Sequence, residues 1–303
     1  MLPDAEEGRR IFAGAYARRV ASQGAVEPGG RLGPYRLEEQ LGEGAVGLVF
    51  HAVREPDGQE VALKVLRAEL SGDETFRRRF VHEARAASEV RHKHLVTILD
   101  AGEVDGRSYL AVTFVRGRTL ERRLEDEGPL PIPEVVRIVA EIAAGLDALH
   151  RAEIIHRDVK PSNVMLDTDG AAALTDFGLA KGRAYTVLTK PGQVIGTLDY
   201  LAPEMLRGAD ATPASDVYAL GCLAFECIAG WAPFADKSLF ELAAAHLNLD
   251  PPDPCADRDD APTGLSWGVV QALAKEPAQR PPTATAYAHM LGFAAGLRGS
   301  SPP

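Results

Sequence analysis

Two polar segments constrain this sequence more than any other feature: HRDVKPSN at residues 156–163 and DFG at residues 176–178. Between them, two apolar runs flank an Asp-Gly turn, which is typical of a β-hairpin. Folding about that turn brings Asn163 and Asp176 to the same open end of the hairpin. A carboxylate beside an amide carbonyl supplies the hard oxygen ligands that Mg²⁺ prefers. A turn-rich hairpin with solvated polar ends is the alternative, and the flanking His-Arg-Asp and Phe-Gly favour the metal site.

A glycine-rich segment, GEGAVGLV at residues 42–49, follows a strand pattern near the start of the chain. A dinucleotide-binding fold would need a helix directly after these glycines. Instead, residues 48–53 continue as a strand, so the glycines lie in a strand-turn-strand hairpin, where backbone can approach a phosphate closely. The next strand, residues 61–65, carries Lys64 among apolar neighbours. A lysine that reaches out to solvent is the alternative to a phosphate ligand there.

Composition excludes several other classes of protein. The chain has 303 residues, of which 46% are apolar, so it can bury a large core as one domain or as two lobes. Its net charge of -10 and the lack of a long basic run argue against nucleic acid or an anionic membrane as a general partner. Three cysteines in a chain of this size predict reduced thiols and a cytoplasmic location.

The sequence as given has no pattern of a membrane signal. Its first residues are polar and acidic, unlike a signal peptide. The longest apolar run, residues 217–230, contains Glu226 and is too short to span a bilayer, so we expect a buried helix there. Whether a longer parent chain is anchored in a membrane stays open.

The segments above occur in the order and at the spacing of one enzyme family. VALK at residues 61–64, HRDVKPSN, DFG and the later APE at residues 202–204 resemble the signatures of protein kinases. The chain is most similar to the bacterial Hanks-type (eukaryotic-like) Ser/Thr protein kinases. The similarity lies in the compact core, the HRDVKPSN motif and the composition rich in Ala, Gly and Arg. The resemblance extends over residues 35–297.

The resemblance implies an α+β, bilobal protein-kinase fold. A small β-rich N-lobe with one key helix would occupy residues 35–115, and a larger, mainly α-helical C-lobe would occupy residues 116–297. Residues 1–34 would form an extension and linker, with a short amphipathic helix that docks on the domain, binds a partner or is disordered. Residues 298–303 would form a tail.

Four charged residues receive catalytic roles through the resemblance, namely Asp158, Lys160, Lys64 and Glu83. Asp158 would orient the substrate hydroxyl and accept its proton, while Lys160 would stabilise the transferring phosphoryl group. Lys64 would grip the α- and β-phosphates, held by Glu83 from the helix of residues 74–90. A solvated surface glutamate is the alternative for Glu83.

The implied cofactors are ATP and Mg²⁺, with Mn²⁺ as an alternative metal, and the metal ligands would be Asn163 and Asp176. The positions expected to contact the nucleotide are Leu41, Gly42, Gly44, Gly47, Val49, Ala62, Lys64, Val112, Thr113, Val115 and Met165. Val112 would be a small gatekeeper residue. The apolar members of this set fit a plain core equally well.

The polar segment between DFG and APE resembles a kinase activation segment. Thr186 and Thr189 are its candidate phosphorylation sites, and Arg157 offers a receptor for the added phosphate. Thr197 resembles the threonine that positions the substrate. An ordinary threonine-containing loop is the alternative.

Other residues receive structural roles. His156 is expected to be a packed histidine and not a base. Asp216 is expected to be the N-cap of the apolar helix that follows it and, by resemblance, to brace the catalytic loop. Glu204 and Arg280 resemble a paired structural couple.

We therefore predict a protein Ser/Thr kinase that acts in signalling and phosphorylates its own activation segment, with protein substrates and a homodimer as an open arrangement for reaction in trans. Lys160, where tyrosine kinases have another loop wording, favours Ser and Thr substrates. A scaffold without activity predicts loss of Lys64, Asp158 or Asp176, and all three are present. A small-molecule kinase generally lacks the complete segment ending in APE, which this chain has.

Overall fold

The chain divides into two compact units, one rich in strands and one mainly helical. The structure is a computed structural model that describes residues 26–44, 46–67, 71, 74–176 and 198–297. Unit 1 comprises Met1–Arg77 and Leu99–Phe114, and unit 2 comprises Arg78–Ile98 and Val115–Pro303. The predicted combination of a small β-rich part and a larger helical part is confirmed.

Unit 1 is built on one mixed-length antiparallel sheet. Its strands are β1 (Arg31–Leu32), β2 (Tyr35–Glu43), β3 (Gly47–Arg54), β4 (Gln59–Leu66), β5 (Ile98–Val104) and β6 (Arg107–Thr113), in the order β1-β2-β3-β4-β6-β5. One face carries the buried core, with side chains such as Leu37, Phe50 and Leu63 fully removed from solvent. The sheet begins upstream of Tyr35, because Arg31 and Leu32 pair with the start of β2.

The sheet is strongly curled. The Tyr35 hydroxyl on β2 donates to Asp100 Oδ2 on β5 over 3.0 Å, and the Tyr109 hydroxyl donates to the same oxygen over 2.8 Å. Strands β2 and β5 are four places apart in the sheet order, which in a flat sheet would separate them by roughly 19 Å. A single side-chain hydrogen bond can span that interval only because the sheet bends back on itself.

Unit 2 contains most of the helices and a small second sheet. The helices are α1 (Glu74–Ser88), which starts in unit 1, α2 (Leu120–Glu127), α3 (Ile132–Arg151), α4 (Pro203–Leu206), α5 (Pro213–Ala229), α6 (Leu239–Asn248), α7 (Leu265–Val270) and α8 (Ala284–Ala294). Strands β7 (Gly117–Thr119), β8 (Val164–Asp167) and β9 (Ala172–Leu174) form the sheet. The residues Val135, Val139, Ile142, Leu146 and Leu149 recur in the sequence at the spacing that predicts an amphipathic helix, and all five are buried in α3.

Two local predictions were wrong. The apolar pattern of residues 95–99 predicts a strand, but only residues 98 and 99 belong to β5, and before them Val96 N–H donates to the Leu174 carbonyl and Leu174 N–H donates to the His94 carbonyl. Asp216 is not the N-cap of α5, which begins after Thr212 with Pro213 in its first turn. Thr212 N–H donates to Ser215 Oγ over 3.1 Å, which completes a capping box ahead of Asp216.

Within residues 26–44, 46–67, 71, 74–176 and 198–297, no helix combines the length and the apolar character needed to cross a bilayer. The three cysteines are free thiols, and Cys222 and Cys227 are buried in α5.

Candidate active site

Unit 1 presents a glycine-rich turn between β2 and β3. Gly44 N–H donates to the Gly47 carbonyl over 2.9 Å, which closes the turn. A Cβ added at Gly42 or Gly44 would meet no atom within 4 Å, whereas a Cβ at Gly47 would lie 2.1 Å from the Val65 carbonyl oxygen. Close packing of β3 against β4 therefore requires a glycine at position 47, whereas packing does not require one at position 42 or 44.

Four of the predicted nucleotide contacts share one face of the sheet. Strand β4 alternates as predicted, with Val61, Leu63 and Val65 buried on the core face. Lys64 and Ala62 lie on the opposite face. Across the ladder, Lys64 is the partner of Val49, and Ala62 is the partner of Val112. Directly paired residues of antiparallel strands point to the same side, so these four side chains form one surface.

The remaining predicted nucleotide contacts are distributed over both units. Leu41 is 46% exposed and lies at an irregularity in the pairing of β2 with β3. Thr113 is the last residue of β6 and is exposed. Val115 and Met165 belong to unit 2, where Met165 pairs with Thr119 on β7.

The catalytic loop of residues 156–163 in unit 2 gathers three polar side chains. Asn163 Nδ2 donates to the Asp158 carbonyl oxygen over 2.7 Å and to Asp158 Oδ2 over 2.9 Å. Lys160 Nζ lies 3.4 Å from Asp158 Oδ2. The side-chain amide of Asn163 and the ammonium group of Lys160 thus hold the Asp158 carboxylate in one orientation.

The predicted hairpin between the two polar segments is confirmed. Val164 on β8 pairs with Leu174 on β9, and Thr175 N–H donates to the Asn163 carbonyl over 2.8 Å. Asn163 and Asp176 therefore stand at the same end of the hairpin. Asp176 has a φ of 56°, a left-handed conformation that costs a non-glycine residue energy and is concentrated at functional sites. Phe177 and Gly178 lie outside the described residues.

A buried carboxylate fixes the backbone of the catalytic loop. Asp216 is 1% exposed and accepts hydrogen bonds from His156 N–H at 2.8 Å and from Arg157 N–H at 2.9 Å. His150 Nε2 lies 2.8 Å from Asp216 Oδ2. Arg157 has a φ of 67°, so these hydrogen bonds stabilise a strained turn. The bracing role expected of Asp216 matches these contacts.

Sequence reasoning missed His150, although a signal for it was present. The residue lies in the last turn of α3, directly before the catalytic loop, and its side chain is 10% exposed. Its other ring nitrogen is 3.9 Å from Asp147, whose carboxylate accepts the N–H groups of Ala284 and Thr285. His150 thus connects the loop brace to the start of α8.

His156 is a packed histidine and not a base. It is fully buried, and burial lowers the pKa of its imidazole despite the nearby carboxylates. Its Nε2 lies 3.0 Å from the Thr175 carbonyl, and its Nδ1 accepts from Asp158 N–H at 3.3 Å. A neutral ring that donates through Nε2 satisfies both contacts.

Glu204 and Arg280 form the predicted structural pair. Arg280 Nη1 and Nη2 donate to the two Glu204 carboxylate oxygens at 2.8 and 2.7 Å, and both residues are buried. Burial alone would raise the pKa of Glu204, but the hydrogen bonds and charge of Arg280 hold it below its usual value. Ser215 Oγ donates to the same carboxylate over 2.7 Å, which ties α4 to α5.

Some predicted residues are not tested by these contacts. Glu83 Oε1 lies 3.9 Å from Arg157 Nη1 within unit 2, and its expected pairing with Lys64 stays a prediction. Thr186, Thr189 and Thr197 lie outside the described residues.

Comparison with known proteins identifies the family. Residues 35–290 match the protein kinase domain family. The Ser/Thr-protein kinase PknH of Mycobacterium tuberculosis is 39% identical over 252 residues, covering 83% of this chain and 40% of that protein. PknE of the same organism is 38% identical over 252 residues, covering 83% of this chain and 44% of that protein. The chain thus spans about two-fifths of the length of these curated relatives.

Further relatives agree. PknA of Corynebacterium glutamicum is 37% identical over 278 residues, covering 89% of this chain and 57% of that protein. The crystal structure of the Mycobacterium tuberculosis PknI kinase domain has a TM-score of 0.73 and 31% identity, covering 89% of this chain and 100% of that chain. The chain therefore belongs to the protein kinase domain family, among its bacterial Hanks-type Ser/Thr kinases.

Proposed function

We propose that this chain transfers the γ-phosphoryl group of ATP to Ser and Thr hydroxyls of proteins in a signalling pathway. The observation that carries the proposal is the contact of Asp158 with Lys160 and Asn163, on a loop whose backbone is bound by the buried Asp216. Family membership supports the use of ATP and a divalent metal ion in general.

The donors at the open end of the hairpin fit a hard divalent cation. Asn163 Nδ2 makes two hydrogen bonds to Asp158, which leaves the amide oxygen of Asn163 as its metal ligand. Asp176 contributes a carboxylate. Oxygen donors favour Mg²⁺ over softer metals, so Asn163 and Asp176 would hold Mg²⁺, with Mn²⁺ as the alternative. The bound ion would neutralise phosphate charge.

The glycine turn fits a phosphate ligand for a similar reason. The open space around the Cβ positions of Gly42 and Gly44 has no use in the packing of unit 1. A missing Cβ allows backbone to approach a nucleotide closely. On the adjacent face, Lys64 supplies the positive charge for the α- and β-phosphates, and Val49, Ala62 and Val112 supply apolar surface for the base.

Phosphoryl transfer needs positioning and charge more than covalent chemistry. Asp158 orients the incoming hydroxyl and accepts its proton through a carboxylate held by Asn163. Lys160, 3.4 Å from that carboxylate, places a positive charge beside the transferring group. Asp216 acts one step away, because it keeps Arg157 and therefore Asp158 in place.

We also propose that the activation segment is phosphorylated at Thr186 or Thr189. Arg157 supports this proposal, because its guanidinium group is next to the proposed base in sequence and is 28% exposed. A phosphate on the segment would form charge-assisted hydrogen bonds with such a group. If a second copy performs the reaction, the initial rate will rise with the square of the chain concentration.

The test is incubation of the purified chain with Mg²⁺ and γ-labelled ATP, beside Asp158→Asn and Lys64→Met, followed by mapping of the labelled residues. We expect label on Thr186 or Thr189 in the wild type and none in either variant. ATP binding, measured separately by calorimetry, should persist in Asp158→Asn, because that side chain meets the hydroxyl and not the nucleotide. Equal labelling in wild type and Asp158→Asn would refute the proposed base.

Metal dependence is tested in the same assay. A chelator should abolish labelling, and Mg²⁺ should restore it better than Ca²⁺, because Asn163 and Asp176 offer too few oxygens for the larger ion. Restoration by Mn²⁺ but not by Mg²⁺ would contradict the assignment of the metal. ATP binding without turnover under every condition would favour a scaffold over an enzyme.

A further inference from the structure

A concave surface lies on unit 2 and shares no residue with the catalytic loop. It is a groove of about 490 Å³ whose apolar walls are Trp231, Phe234, Leu249 and Pro252. These residues come from the segments that precede and follow helix α6. A volume of this size is in the range of binding sites and far above the space needed for a single water molecule. We call this surface the Trp231 groove.

The walls of the Trp231 groove are fixed by contacts underneath them. The Trp231 ring packs edge-on against Phe225, with centroids 5.0 Å apart. Phe234 has a φ of 66°, a strained conformation for a bulky residue. Its ring is held by His246, with centroids 5.3 Å apart, and by Lys275, whose Nζ lies 5.2 Å from the ring centroid. A surface formed in advance in this way loses little conformational entropy when a ligand binds.

Large apolar side chains are concentrated around the groove. Trp231 is 41% exposed and Leu249 is 49% exposed, and helix α6 between them exposes Leu239 and 76% of Phe240. Exposed aromatic and aliphatic side chains at a concave surface, here Trp231 and Leu249, are typical of interaction sites. Leu239 and Phe240 add exposed apolar surface on the helix that joins the two segments of the groove, which favours a chain segment over a small molecule as the partner.

The same region carries much of the negative charge of the protein. Residues 231–260 contain seven carboxylates and two Lys or Arg residues, a net charge of -5 out of -10 for the whole chain. Asp236 and Asp250 are exposed on the groove itself. Lys237 lies 3.6 Å from Asp236, and Lys275 is turned inward, where its Nζ donates to the Ala245 carbonyl. The rim therefore favours a positively charged ligand.

We propose that the Trp231 groove docks a basic segment with large apolar side chains that belongs to a protein substrate of this chain. The apolar side chains would enter between Trp231 and Leu249, and Lys or Arg residues would face Asp236 and Asp250. Such docking tethers the acceptor Ser or Thr and raises its local concentration. The inference rests on the proposed kinase function, because it assigns the substrate a second contact outside the catalytic loop.

The test compares two synthetic substrates with the full chain: an acceptor peptide alone, and the same peptide linked to a segment rich in Arg, Leu and Phe. We expect the linked peptide to have a kcat/KM at least about tenfold higher, through a lower KM. Leu249→Asp and Asp250→Lys should each remove most of this gain and leave kcat for the short peptide unchanged. Both side chains are exposed, so these variants should fold, and a melting curve checks this.

The matched control is Phe293→Asp, which changes a side chain that is 79% exposed on α8 and outside the groove. It should keep the full gain. Equal KM values for the two peptides with the wild type would overturn the proposal, and so would a gain that survives Leu249→Asp and Asp250→Lys.

A binding measurement separates this proposal from the proposed activity. In a Trp267→Phe background, Trp231 is the single tryptophan of the chain, and its emission should shift when the docking segment without Ser or Thr is added. If the chain has no kinase activity but shows an emission shift that Asp250→Lys abolishes, the docking groove is supported and the proposed enzymatic function is refuted. A shift that depends on chain concentration without added peptide would instead assign the groove to a second copy.

Discussion

The glycine turn of unit 1 and the catalytic loop of unit 2 are both proposed to act on the phosphates of ATP, yet the contacts that stabilise the two regions differ. Around Gly42 and Gly44 the protein leaves open space, and the exposed ion pair of Arg67 with Glu43 is a surface contact. In the loop, backbone N–H groups end on the buried carboxylate of Asp216. Surface ion pairs contribute little stability, whereas buried hydrogen-bonded carboxylates are costly to remove.

This difference teaches that stability and function are separable in the turn and joined in the loop. At Gly42 and Gly44 a Cβ can be added without a clash, so an effect is expected on ligand binding and not on stability. In the loop, Asp216 binds the backbone and thereby also fixes the proposed catalytic geometry. Substitutions at the two places should therefore have different signatures in unfolding and in kinetics.

The largest effect should come from Asp216→Ala. The change leaves two buried N–H groups and His150 without their acceptor, which should lower the free energy of unfolding by about 3 kcal/mol. Misplacement of Asp158 should also lower kcat by about 100-fold. Urea unfolding and steady-state kinetics measure both quantities. Normal kcat in a destabilised variant would break the link between brace and chemistry.

Gly47→Ala should follow, with an effect on stability first. The new Cβ would lie 2.1 Å from the Val65 carbonyl, so β3 and β4 must separate, at a cost of about 2 kcal/mol in the free energy of unfolding. Thermal unfolding checks this value. An unchanged melting temperature would mean that the ladder at Gly47 adjusts without loss.

Gly44→Ala is the matched counterpart with an opposite signature. Because the site is open, stability should stay equal or rise by up to about 1 kcal/mol. The KM for ATP should rise several-fold, since the added Cβ lies where a phosphate is proposed to approach. If both Gly44→Ala and Gly47→Ala lower stability equally, the contrast drawn within the turn is wrong.

A last prediction concerns pH dependence and a second carboxylate on α5, that of the half-buried Glu226. Glu226 accepts from the Tyr200 hydroxyl, and its burial raises its pKa to about 7. The unfolded chain ionises this group near 4.5, so stability should fall as pH rises from there through about 7. Glu226→Gln should flatten this slope in unfolding curves measured at several pH values. Parallel slopes would show that Glu226 is already ionised when folded.

Local sequence patterns predicted some of these features well. The hairpin of β8 and β9 could be derived from its turn and two apolar runs, because its contacts are close in sequence. The alternation that puts Lys64 opposite Val61 and Leu63 follows from strand geometry alone. Asp216, in contrast, was placed as a cap because the apolar run starts after it. The true start at Thr212 is polar, and the hydrogen bonds of Asp216 reach a loop some sixty positions away in sequence.

Other features could not be predicted from sequence because they depend on distant contacts. The Trp231 groove combines the segments on either side of α6, and the left-handed backbone of Phe234 has no local signature. The hydrogen bond from Tyr35 to Asp100 depends on the curl of the whole sheet. The sequence shows that His150 lies shortly before the catalytic loop, but its contact with Asp216 depends on the packing of α3 against α5.

The imidazole of His156 has a consequence for how the reaction responds to acidity. With both ring nitrogens engaged and its pKa lowered by burial, this ring stays uncharged throughout the neutral range. The hydrogen bonds of His156 connect Asp158 to Thr175, the residue before Asp176. Because the ring stays neutral, the spacing between the proposed base and the proposed metal ligand does not change over this pH range. We therefore expect His156 to contribute no pKa to a pH–rate profile. The loss of rate at acid pH should instead reflect the protonation of a carboxylate.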